Sequence, residues 1–193
     1  MRRLAAGERE KAAQLARAKE IRPLLLPQTP VLSLLGTRGV KTAWNDRRLS
    51  EAHVGIPLVS LSFVDSIPMI SRLIRELDSK FEWLGNDEQF VQKVLGGGSA
   101  GLFFVDDART AVDAQGRRVI AARDFVRDND IKTVFGIGRN FGQGAMFVQI
   151  LFLRELVPRA RALKLMPLAN AFRGTALQSG RIFAPTPLIG ARS

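Results

Sequence analysis

Cysteine and tyrosine are absent from the 193 residues, histidine occurs once and tryptophan twice. Without thiols the chain has no disulfides, no thiolate nucleophile and no zinc-thiolate site. The single histidine, His53, has no second histidine or cysteine for metal ligation and no serine motif that would make it the base of a triad. Long apolar runs are missing too. No stretch approaches the roughly 18 residues of a membrane span, and residues 1–22 mix alanine with charge where a signal peptide needs an apolar core. These absences fit a cytoplasmic protein, and the hydrophobic content of 46% is that of a globular one.

Negative charge is scarce only at the ends. The formal net charge is +11, with 29 Lys and Arg against 18 Asp and Glu. Residues 1–22 and 154–193 hold nearly all of that excess, so the middle of the chain is close to neutral. No basic stripe crosses the centre, and the basic segments carry few aromatics on which bases could stack, which argues against nucleic acid as the partner. Basic ends still attract phosphate backbones or acidic proteins, so an adaptor working through its terminal segments is the alternative function.

What is present centres on residues 131–152, IKTVFGIGRNFGQGAMFVQILF. Two β-prone apolar runs flank glycines 138, 142 and 144, the pattern of two central strands joined by a hairpin loop. Ile131, Thr133, Phe135 and Ile137 alternate with Val134 and Gly136. Met146, Val148, Ile150 and Phe152 alternate with Phe147, Leu151 and Leu153. Both faces are apolar, so other elements must cover both. The glycines do not make a phosphate cradle, because the turn leads into a strand rather than a helix and no Gly-Lys-Ser/Thr follows.

Around this hairpin, residues 4–20 read as a basic helix with a thin apolar stripe, suited to docking or to pairing with a second copy. Residues 31–35 read as a short strand and 44–57 as a polar stretch without periodicity. Residues 65–78 give the clearest helix, with Asp65 or Ser66 as cap, Pro68 in the first turn and Ile70, Leu73, Ile74 and Leu77 on one face. Phe81, Trp83 and Leu84 precede a short helix with Phe90, Val91, Val94 and Leu95. Residues 102–105 form another strand; the Asp106 and Asp107 that follow suit a turn better than an acid-base pair, because strand neighbours face opposite ways. DAQG at 113–116 is a turn, 119–126 a helix or irregular cover with Phe125 and Val126 inward, and 128–130 a polar turn. Pro158 and Pro167 divide a final helical stretch whose inner face is Leu163, Met166, Ala169, Phe172 and Leu177.

Several segments together resemble a known family. TPVLSLLGTRG (29–39), WNDRRLSEAHVGIPL (44–58), IPMISRLI (67–74) and DFVRDNDIKTVFGIG running through to FVQILFLRE (124–155) look like the GAF/PAS-like input domains of bacterial sensor histidine kinases. The resemblance implies an α+β fold with a central antiparallel sheet and flanking N- and C-terminal helices. It implies a basic helix and linker over 1–28, a sensory domain over 29–183 and a flexible tail over 184–193. The implied function is non-catalytic: sensing a small ligand and relaying its presence to a histidine kinase or similar signalling partner, in a homodimer joined through terminal helices. The chain lacks the phosphoacceptor region and ATP-binding lobe of such kinases, so the resemblance implies an isolated sensory module or a fragment, with any kinase on another polypeptide. Candidate ligand-binding residues on or beside the covered face are Trp44, Arg48, His53, Phe104, Phe125, Phe135 and Phe141. No catalytic residue, metal ligand or particular cofactor is implied.

Overall fold

A computed structural model describes residues 29–50, 55–77, 100–142 and 145–179, apart from the side chains of 140–145 and 176–179. The helix expected at 4–20, the segments around Trp83 and Phe90, His53 and the tail at 184–193 lie outside the described residues. What is described is α+β, with two small antiparallel sheets. The chain divides into two compact units, Met1–Val59 with Ser179–Ser193 and Ser60–Gln178.

In the first unit, strand β1 (Val31–Ser33) pairs antiparallel with β2 (Gly55–Pro57), Leu32 lying opposite Ile56. Periodicity does not reveal β2, because three residues are too few for alternation and a proline argues against a strand. It forms because all three residues are buried and the amide of Leu58 donates to the Pro30 carbonyl at 2.8 Å. Between the strands, Thr42–Asn45 and Arg47–Leu49 make two short 3₁₀ turns.

The second unit opens with helix α1 (Leu61–Asp65), capped by Ser60, whose hydroxyl accepts from the Phe63 amide. Helix α2 (Pro68–Leu77) follows, and Ile70, Leu73, Ile74 and Leu77 are its buried face, as the spacing predicts. Ser66 does not cap it. The residue ends α1 instead, its hydroxyl donating to the Phe63 carbonyl, and the break falls there because Pro68 brings no N–H to continue a helix.

Strands β3 (Gly101–Val105), β4 (Thr133–Gly142) and β5 (Ala145–Leu153) form an antiparallel sheet in the order β3-β4-β5. The hairpin is therefore real, but only β4 is central among the described strands; β5 is an edge. Gly138 lies inside β4 opposite Val148 rather than in the loop. A methyl group there would stand 2.9 Å from the Phe147 carbonyl oxygen and 3.0 Å from a Leu77 methyl carbon, so the glycine lets α2 lie close on the sheet. The α2 side carries Phe103, Val105, Val134 and Gly136. The other side carries Leu102, Phe104, Phe135 and Ile137, covered by Leu165 and Met166 and joined by the fully buried Ala162.

Helix α3 (Arg123–Asp128) leads to the hairpin through Asp130, whose φ of 50° is the left-handed turn conformation that Asp tolerates better than most side chains. After β5, Pro158 opens α4 (Arg159–Leu163) and Pro167 opens α5 (Pro167–Ser179). Leu163 was expected inside. It is 48% exposed, and the neighbouring Ala162, fully buried, takes the inner position.

Glycine 101 is the tightest point of the second unit. A Cβ on it would lie 2.3 Å from the Leu77 carbonyl oxygen and 2.5 Å from its Cα, whereas one on Gly136 meets only side-chain atoms at 3.4 Å. Gly101→Ala should therefore cost about 2 kcal/mol or more, and Gly136→Ala should lie within about 1 kcal/mol of the unsubstituted protein. Urea denaturation of the two variants checks this; equal losses would show that the close approach of helix to strand does not set the requirement.

Candidate partner-binding surface

The residues expected to line a ligand chamber are distributed. Phe104 and Phe135 do meet, as cross-strand partners in β3 and β4, but they are 6% and 1% exposed and packed under Leu151, Leu153, Leu165 and Met166. They are core. Phe125 lies on the opposite side of the sheet, edge-on to Phe152 with ring centroids 5.3 Å apart and planes at 87°. Phe141 belongs to β4 near its end, and its side chain is outside the described residues. Trp44 is in the first unit, half-buried, with the Lys41 ammonium 4.9 Å from its ring centroid. Arg48, in the same unit, grips Asp46 at both carboxylate oxygens, Nε at 2.9 Å and Nη2 at 2.5 Å. That guanidinium is engaged within its own turn.

The adjacent carboxylates after β3 also resolve into a turn. Asp107 accepts from the Arg109 amide at 3.0 Å and the Arg109 guanidinium at 2.8 Å, while Asp106 is exposed. DAQG forms as expected: Asp113 accepts from the amides of Gln115 and Arg117, and Gly116 takes φ 75°. Among the described residues there is no group of three His, Cys, Asp or Glu placed to hold a metal ion.

Most of the described acidic groups of the second unit are thus matched by nearby cations. Asp65 accepts from Ser71 and Arg75 and lies 3.7 Å from Arg117, which also pairs with Asp113 at 2.7 Å. Arg127 pairs with Asp124 and Asp128, and Lys132 with Asp130. Arg72 pairs with Glu76.

Beyond Leu153 the balance ends. Arg159, Arg161 and Lys164 are exposed on and just after α4, and none forms an ion pair with a described residue. The Arg159 guanidinium stands 5.6 Å from the Phe104 ring centroid, a cation–π contact with the fold. Arg154 donates to the Asn129 carbonyl, and the buried Nε of Arg173 has no hydrogen-bond partner. Set among these cations, Leu156, Leu163 and Leu168 are 63%, 48% and 52% exposed. The stacked rings of Phe147 and Phe172, 3.7 Å apart, fasten α5 to β5, and Arg139 donates to Asn170. The surface is therefore basic and apolar on a fixed frame.

No family model, curated protein or solved structure matches the chain. The likeness to GAF/PAS-like input domains accordingly rests on the sequence segments quoted above alone.

The charge excess of this surface is legible in the sequence, but its leucines are not, since helical spacing assigns Leu163 to the interior. In the five-residue α4 the inward position falls to Ala162, next to Leu163, which the spacing alone does not distinguish.

The paired carboxylates set an acid limit on stability. The Asp46 carboxyl is held at about 2 by hydrogen bonds from the Arg48 side chain and amide, and that of Asp107 is lowered, chiefly by the Arg109 side chain. Folded values below the usual 3.8 give stabilisation that is complete above the unfolded value and lost as pH falls through the folded one. Thermal unfolding should therefore be flat from about pH 7 to about pH 5 and fall toward pH 2, with a shallower acid limb for Asp46→Asn combined with Asp107→Asn. Superimposable acid limbs would refute the assignment.

Proposed function

We propose that the chain is a non-catalytic interaction module that engages an acidic segment of a partner protein through the surface around α4. The observation that carries this reading is the contrast in charge pairing. Every described carboxylate of residues 60–132 except Asp106 pairs with a cation of the same stretch, whereas Arg159, Arg161 and Lys164 have no counter-charge among the described residues. Unpaired cations add attraction and raise association rates for an anionic partner at little cost to the fold. The exposed leucines favour a protein segment with both carboxylates and apolar side chains over a phosphate backbone, which would leave them in water.

A second reading keeps the sensory role, with a small ligand bound by the α+β unit and its presence relayed to a histidine kinase or similar protein. In its favour, the glycine-bearing hairpin is a paired β4–β5 unit covered by helical elements. A ligand reaching Phe104 or Phe135 would have to displace Leu165 or Met166. Absorbance and native mass of the freshly purified chain separate the readings: a visible band or an added mass supports sensing, and their absence removes a retained ligand.

The leading reading is tested with a fluorescent peptide alternating glutamate and leucine, and with poly-glutamate and a DNA duplex of matched charge as comparisons. Binding of the Glu-Leu peptide should exceed that of both others and weaken as salt rises. The Arg159→Ala, Arg161→Ala, Lys164→Ala triple variant should lose about tenfold in affinity. Affinity unchanged in that variant, or preference for the duplex, would overturn the proposal.

A further inference from the structure

The two edges of the three-stranded sheet are treated differently. On β3, the outward amide of Phe104 donates to Glu76 Oε2 and its outward carbonyl accepts from Arg72 Nη2, both at 2.7 Å. The pair of side chains takes the place of a neighbouring strand. On β5 nothing comparable is found. Because the Phe104 backbone points away from β4, alternation turns Phe135 toward β5, so Leu151 and Gln149 bond inward and Met146, Val148, Ile150 and Phe152 point their backbone groups outward. No described residue hydrogen-bonds those outward groups. The strand AMFVQILFL also carries none of the side chains that usually guard an edge: it has no lysine, no other charge and no proline.

We infer that β5 pairs antiparallel with β5 of a second copy of this chain, about a two-fold axis through Gln149, joining the two three-stranded sheets into one. The spacing makes the strand complementary to itself. With Gln149 on the axis, Val148 faces the partner's Ile150 and Met146 faces the partner's Phe152, so every outward-pointing residue meets another. A second copy is favoured over a foreign strand because the symmetric register leaves none of these groups unmatched and opposes no like charges. Gln149 is exposed on its strand, and at the axis its side-chain amide can both donate to and accept from its twin. The Arg72 and Glu76 clasp closes the opposite edge, so pairing stops at two copies instead of propagating.

The axis position makes the inference directly testable, because the chain has no cysteine of its own. Opposed residues that do not exchange backbone hydrogen bonds stand about 4.5 Å apart at Cα, within disulfide range. Gln149→Cys should therefore give a covalent dimer under mild oxidation, while Arg123→Cys, exposed on α3, should remain largely without a cross-link. In sedimentation at about 100 µM, the unsubstituted full chain should be dimeric, Gln149→Lys and Gln149→Glu each monomeric, and an equal mixture of those two dimeric again. Unchanged circular dichroism in the Lys and Glu variants shows that the fold survives. Cross-linking of Gln149→Cys no faster than Arg123→Cys, a monomeric unsubstituted chain, or a dimer indifferent to Gln149→Lys would each overturn the assignment.

Discussion

The structure of the second unit depends on a three-way contact between α2 and β3. Arg72 and Glu76 hold one another at 2.7 Å, and with their remaining atoms they satisfy the carbonyl and amide of Phe104. The ion pair by itself is worth little, since both side chains keep some exposure and water screens them. Its larger contribution is to the backbone: a strand edge facing a helix has lost water and gained no neighbouring strand, and each polar group left unmatched there costs about 1–3 kcal/mol. The contact fixes the height of α2 on the sheet, which then decides where side chains fit and where glycine is required, at Gly101 and Gly138. Burial of Leu73, Ile74 and Leu77 supplies the adhesion; the clasp supplies the register.

Much of this was legible in the sequence for an identifiable reason. The α2 stripe and the alternation of β4 and β5 repeat over enough residues for periodicity to speak, and the structure keeps both. Features decided by one contact were not legible. Gly138 resembles a loop glycine until the Leu77 side chain is known to lie above it, and β2 is too short to show a period. Leu163 follows the helical rule, yet the helix carrying it has room for only one inward residue. The burial of Phe104 and Phe135 as core has a related reason. Phenylalanines of a sheet covered on both sides are shared between two layers, and sequence cannot tell which layer has space.

Charge tells a parallel story at the level of function. Short-range pairs such as Asp107 with Arg109 and Asp113 with Arg117 form within single turns, so they are consumed in building loops. The stretch after β5 has almost no acid with which to do the same. Its helix is short, opened by a proline and anchored through Ala162, so the basic side chains around it are carried on backbone held against the sheet. A tethered surface with unspent positive charge is better suited to recognition than to catalysis, and the interaction proposal rests on this division.

The contact at Gly101 also limits how the chain can change over time. The atoms that would strike a methyl group there are the Leu77 carbonyl oxygen, Cα and carbonyl carbon, which every amino acid possesses. Trimming position 77 to a smaller residue would open no space, so a mutation at 101 has no suppressor at its nearest neighbour. Relief could come only from lifting the entire helix, and that would pull Arg72 and Glu76 away from Phe104.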